Sequence, residues 1–176
     1  MINQTLDLIH AHASCRNYKP DPIPVDLVET IISASQHTST SSNMQTYSVV
    51  ATTDPEIREK LAQICSNQAH IITAPLFLTW CADLARLQKV CQMQGYVQNT
   101  EYLENFLIAA VDAALAAQTA ALAAESFGLG ICYIGSVRNN SREVIKLLNL
   151  PTLVFPISGM TVGWPGMKLK LRPRLP

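Results

Sequence analysis

The stretch ENFLIAAVDAALAAQTAALAAESFGLGICYIG, residues 104–135, decides the fold. Ten of the sixteen residues from 109 to 124 are alanine, the strongest helix former, so a long helix is expected from Glu101 to Phe127. Gly128 stands where a left-handed residue would end that helix, and Ile131 to Ile134 follows as a strand. An alanine face admits close approach by a neighbour. The helix therefore belongs at the centre of the fold or on a seam between two copies. Asp112 and Gln118 interrupt the apolar run from Phe106 to Ala124, which makes it a poor membrane span and a good buried helix.

Upstream of it, residues 3–12 predict a short helix with Leu6 and Ile9 facing inward. The three prolines of KPDPIP, residues 19–24, impose an extended connector. Leu27, Val28, Ile31 and Ile32 carry the helical spacing of residues 25–36. A hydroxyl-rich loop, His37 to Ser42, leads to a β-branched strand from Tyr47 to Thr53. Asp54 caps a helix that has Pro55 at its first position and ends near Cys65, and Leu76 to Cys81 reads as a buried strand. Downstream, Ser141 caps a short helix with Glu143 near its start and Lys146 further along, in keeping with the helix dipole. Leu153 to Val162 reads as a strand broken by Pro156 and Gly159. This order implies an α+β fold in which one sheet of about four strands packs against several helices. No repeat or linker divides the chain, so a single domain over residues 1–176 is expected.

Composition narrows the function. Hydrophobic residues make up 48% of the 176 residues and charged residues 15%, against about 25% in ordinary soluble domains. Thirteen cations balance thirteen anions. A monomer of this size exposes roughly 8,500 Å², or about 330 Å² per charge. A surface so sparsely charged implies a covering partner, most simply a second copy. Zero net charge gives no global attraction to nucleic acid or to an anionic membrane. The N-terminus has neither the basic nor the apolar region of a signal peptide. Five cysteines without a CxxC pair or zinc spacing read as reduced thiols in a cytoplasmic protein. His10 and His12 would point to different sides of a helix and could not share a metal.

No hydrolytic or nucleotide-loop motif is present. There is no G-x-S-x-G and no GK[ST]. The glycines at 128, 130 and 135 miss the dinucleotide spacing because Tyr133 stands where the third glycine belongs. A helix end and a tight turn would account for Gly128 and Gly130. Gly135 and Ser136 lie past a strand end, where small residues would leave the backbone open to a flat ligand. In KLKLRPRLP, residues 168–176, period two puts Lys168, Lys170, Arg172 and Arg174 on one face of an extended chain. That face is either a solvated edge or a phosphate clamp. Arg16, shortly after His12, is a second basic spot. Residues 38–50, TSTSSNMQTYSVV, are dense in hydroxyls and amides before a strand and form either a capped loop or a polar rim for a ligand. Gln68 and His70 form a polar pair or a surface turn.

Taken together these pieces resemble the FMN-dependent nitroreductase family. They are H-x-S-x-R after the first helix, S-S-N-x-Q before a strand, G-L-G-x-x-Y-I-G after the long helix, VRNN at 137–140, LNLP at 148–151, and the ending from Gly163 through K-L-R-P-R-L-P. The ending is similar to the subgroup of oxygen-insensitive NADPH nitroreductases and NADPH–flavin oxidoreductases. The resemblance implies a nitroreductase-like α+β fold, with a mostly antiparallel sheet packed between helices. It also implies a cytoplasmic homodimer with FMN at the interface. By position, His12, Ser14 and Arg16 match the first flavin segment. Thr40, Ser42 and Gln45 match a loop that reaches the partner's flavin, and Asn43 faces the substrate. Gln68 and His70 match a third segment. Tyr133, Ile134, Gly135 and Ser136 match the backbone beside the flavin ring, and Arg172 and Arg174 match the basic pair on its phosphate. Ala13 and Ala69 replace basic residues common in the subgroup, and Ser136 replaces a glycine, so its side chain would have to point away. The implied activity is a ping-pong transfer of two electrons from NAD(P)H to a nitroaromatic, a quinone or free flavin. Flavin N5 carries the chemistry, with no catalytic side chain. A non-catalytic flavin-storage protein is the alternative. Members of the subgroup continue for several dozen residues beyond P-R-L-P, so the chain is expected to lack that extension.

Overall fold

Alanine at the centre of the sequence becomes close packing at the centre of the molecule. The structure, a computed structural model, describes residues 3–175; Met1, Ile2 and Pro176, the ends of the expected domain, lie outside them. In chain order the elements are α1 (Gln4–Ala11), α2 (Val25–Ser35), β1 (Tyr47–Thr52), α3 (Pro55–Ile64), α4 (Ala69–Thr73), β2 (Leu76–Asp83), α5 (Ala85–Met93), α6 (Leu103–Ser126), β3 (Gly130–Ile134), α7 (Ser141–Leu147) and β4 (Val154–Gly163). The four strands form one antiparallel sheet in the order β1-β2-β4-β3.

Alternation along the strands sorts side chains onto two faces. Leu76, Leu78 and Trp80 of β2 and Ile131 of β3 pack with Ile31 of α2 and the alanines Ala113, Ala117, Ala120 and Ala124 of α6. Phe77, Cys132 and Ile134 point the other way, onto Leu61, Ile71 and Val144 of α3, α4 and α7. The sheet is thus sandwiched between helices. Length and composition alone would let Leu103–Ser126 cross a membrane, but its alanine face is buried against the sheet. The helix ends as expected. Gly128 has φ +79°, and the amides of Gly128 and Leu129 close the last turn on the Glu125 and Ala124 carbonyls at 2.9 and 3.1 Å.

Several local expectations change. Proline 156 does not break β4. Trp80 pairs with Ser158 and Cys81 with Pro156, so Ile157 bulges out of the ladder and the donor-less proline is tolerated. The cap of α7 falls on Asn140 rather than Ser141, and α4 and α5 arise in segments without clear periodicity. On α1, Leu6 and Ile9 are not inward; they stay 50% and 45% exposed, because nothing in a single chain covers that side of the helix. The exposed face of α6 carries Leu103, Leu107, Val111 and Leu115, four residues apart. The chain exposes 10749 Å², about a quarter more than a compact monomer of this size.

Candidate functional site

Two neighbourhoods collect the residues singled out by sequence. The first is the open edge of β3. The segment leaving α1 runs along this edge, where the Cys15 amide donates to the Ile131 carbonyl at 2.7 Å. Extended alternation buries Ala13 and Cys15 and turns Ser14 and Arg16 outward. Gly130 is explained by this approach and not by a turn, since a Cβ there would lie 2.6 Å from the Cys15 Cβ. His12 is the C-cap of α1, and its Nδ1 meets Glu125 Oε1 of α6 at 2.6 Å. Among the described residues no lysine or arginine lies within ion-pair distance of a carboxylate.

The C-terminal segment returns to the same place. His12, Ala13, Ser14, Arg16, Lys170, Arg172 and Arg174 line one polar cleft of about 230 Å³, with no carboxylate in its walls. A larger cavity of about 410 Å³ lies alongside, between Ile9 of α1 and Gln118 and Leu122 of α6, with Leu171 over it. His70 lies in the first turn of α4, and its Nε2 is buried without a partner. Burial, and after it the charge of nearby Arg16, hold His70 below its ordinary value, so it is kept neutral and stability is lost as pH falls below about 6.5. Gln68 Nε2 donates to the Cys65 carbonyl at 2.8 Å and to Ser136 Oγ at 2.7 Å. The Ser136 hydroxyl is therefore engaged, while Gly135 beside it is exposed. Tyr133 and Ile134 complete β3. Burial pushes the Cys15 and Cys132 thiols up, so neither is a ready nucleophile.

The second neighbourhood is the loop from Thr38 to Gln45. Ser42, Asn43 and Gln45 all have positive φ, and three bonds to one side chain hold this shape. Asp112 of α6, 1% exposed, accepts from the Ser41 amide at 3.0 Å, the Thr46 amide at 3.1 Å and the Thr46 hydroxyl at 2.8 Å. Arg86 of α5 donates to the Gln45 carbonyl at 2.7 Å and also to that of Tyr47. Thr40, Ser42, Asn43 and Gln45 are thereby presented at the surface together. Asp112 and Glu125, the anchors of the two neighbourhoods, are about 20 Å apart along the helix axis, and the cleft at Arg16 contains no residue of the loop. In the sequence Asp112 shows only as an interruption of an apolar run. A lone carboxylate among alanines is itself a signal that something polar must meet it. Arg86 carried no such signal.

No group of three potential metal ligands occurs among the described residues. Residues 9–164 match the Nitroreductase family, and the chain belongs to it. It is 39% identical to a Pseudomonas protein named CR(VI) reductase, over 97% of this chain and 70% of that protein. It is 38% identical to the Bacillus subtilis protein named FMN reductase (NADPH), over 99% of this chain and 71% of the relative. The solved structure of Bacillus megaterium NfrA2 superposes with a TM-score of 0.98 at 38% identity, covering 99% of this chain and 72% of that one.

Proposed function

We propose that the chain is an FMN-dependent oxidoreductase that carries two electrons from NAD(P)H to a nitroaromatic, a quinone or free flavin. What carries the reading is the polar cleft of Ser14, Arg16, Arg172 and Arg174 in a chain matching the Nitroreductase family from residue 9 to 164. The relatives described above are named as reductases.

The residues fit FMN. Its phosphate is a dianion, and the cleft offers arginines and a lysine that no carboxylate among the described residues neutralises. Its ring needs polar edge contacts, and His70 Nε2 is a buried nitrogen still without one. When bound, FMN would supply the two-electron redox chemistry between NAD(P)H and the acceptor. Arg172 and Arg174 hold the phosphate. Ser14 and Arg16 face the same cleft, and Arg16, close to His70 as well, is placed to stabilise negative charge on the ring. The engaged Ser136 side chain leaves the backbone at Gly135 open to the ring. The decisive experiment is anaerobic: protein loaded with FMN should lose its yellow absorbance on addition of NADPH or NADH and regain it with a quinone. A flavin that neither nucleotide bleaches would overturn the reading.

The active form in this reading is a cytoplasmic homodimer. Thr40, Ser42 and Gln45 do not line the cleft of their own chain, and Asn43 beside them would face the acceptor in the partner's site. The apolar stripe of α6 and the exposed Leu6 and Ile9 of α1 are a surface suited to a second copy. Sedimentation should report twice the chain mass, and Val111→Glu, which puts a charge in the middle of the stripe, should yield monomers. A wild-type monomer at micromolar concentration would rule the dimer out.

A further inference from the structure

The basic segment is longer than one phosphate requires. Arg172 and Arg174 account for the expected clamp and Lys170 lines the same cleft, which leaves Lys168 without a task. The position of the two lysines is fixed by what lies between and before them. Leu169 packs against the Cys15, Tyr18 and Ala74 cluster. The Gly166 amide donates to the Asn17 carbonyl at 2.9 Å, and the Lys19 amide to that of Trp164 at 2.9 Å. With the leucine held inward, alternation presents both lysines on the other side of the chain. Beside the polar cleft, a further cavity of about 270 Å³ is walled by Arg16, Asn17, Lys168 and Lys170, with Leu169 also in its lining. Ser14, Arg16, Lys170 and Arg172 are common to this cavity and the first. No carboxylate lines either one, and no lysine or arginine among the described residues is in an ion pair. In a chain of zero net charge, this is a local excess of positive charge that a single dianion does not neutralise.

We propose that the cleft continues into a second phosphate subsite, in which Arg16, Asn17, Lys168 and Lys170 take a further phosphate group carried by a dinucleotide. The inference rests on the FMN reading. Because the cavities share four residues, a phosphate in one is the neighbour of a phosphate in the other. Two sources present that chemistry: the nicotinamide co-substrate bound beside FMN, or flavin adenine dinucleotide bound in place of FMN.

Lys168 borders the second cavity and not the first, and it is exposed, so Lys168→Gln folds and isolates the subsite. Flavin fluorescence titrations with FMN and with FAD, and steady-state KM values for NADPH and NADH, are compared between this variant and wild type. The FMN dissociation constant should stay within about twofold, while either the FAD dissociation constant or a nicotinamide KM rises about fivefold, as for loss of one exposed ion pair. A rise for FAD identifies the flavin as the source, and a rise for NADPH or NADH identifies the co-substrate. Lys168→Arg should restore the wild-type value. If none of these constants moves, or if FMN weakens as much as the dinucleotides, the subsite is overturned. If wild-type protein binds no flavin at all, the FMN reading itself fails and takes the subsite with it.

Discussion

Replacing Arg172 and Arg174 together by alanine is expected to weaken FMN binding about 30- to 150-fold. Both side chains line the polar cleft with Ser14 and Arg16, and neither has a carboxylate partner among the described residues. Hydrogen bonds to charged groups contribute about 1.5–3 kcal/mol each when sheltered and less when exposed. Both arginines are exposed, so ~1–1.5 kcal/mol apiece is the appropriate range, and two such losses give the stated factor. Fluorescence titration at fixed ionic strength measures it, and the wild-type affinity should itself fall as salt rises. The flavin-free variant should melt with wild type, because neither side chain is buried. An unchanged FMN affinity would return the segment to a solvated edge and remove the phosphate clamp from the proposal.

The largest effect on stability is expected at Asp112. Asp112→Ala should cost about 3–5 kcal/mol, because it leaves the Ser41 amide, the Thr46 amide and the Thr46 hydroxyl without their shared acceptor and opens a void beside α6. For a chain of this length that corresponds to a melting temperature lower by roughly 6–20 °C. Asp112→Asn keeps one acceptor oxygen but turns an NH₂ toward the remaining donors, so about half the loss is expected. Urea unfolding gives the number, read as a lower midpoint at unchanged slope. The same substitution should loosen residues 38–45, whose positive-φ backbone depends on those bonds, and hydrogen exchange at Ser41 and Thr46 would report it. A loss below about 1 kcal/mol would show that Arg86 alone holds the loop.

Asp112 also illustrates what was legible in the chain. The long helix, its glycine stop, the four strands and the caps at Asp54 and Gly128 all follow from local chemistry: alanine content, β-branched runs, and side chains that bond their own backbone. The elements misread were those whose stability comes from elsewhere. Helix α4 has five residues, too few to show a period, and α5 lacks a clear apolar face. Pro156 looked like a break because a proline in a ladder normally is one; the bulge that accommodates it depends on β2, a strand more than seventy residues away. Leu6 and Ile9 looked like core because helical apolar pairs usually are, yet a single chain has nothing to put over them.

The expected site divides in the same way. Sequence named its residues, because spacing puts Ser14 and Arg16 on one side of an extended segment and four cations on one side of another. It could not say that these two segments meet while Thr40, Ser42 and Gln45 stand apart from them. Nor could it find Glu125 under His12 or Arg86 under the loop. The sequence by itself determined the elements, the family resemblance and the types of residue a phosphate and a flat ring would need, since each rests on local propensity and short-range spacing. Only the tertiary structure decided which residues share a cleft, because that depends on contacts between segments more than a hundred residues apart. It also decided that Asp112, which holds the loop, and Glu125, which meets His12 beside the cleft, lie about 20 Å apart along one helix.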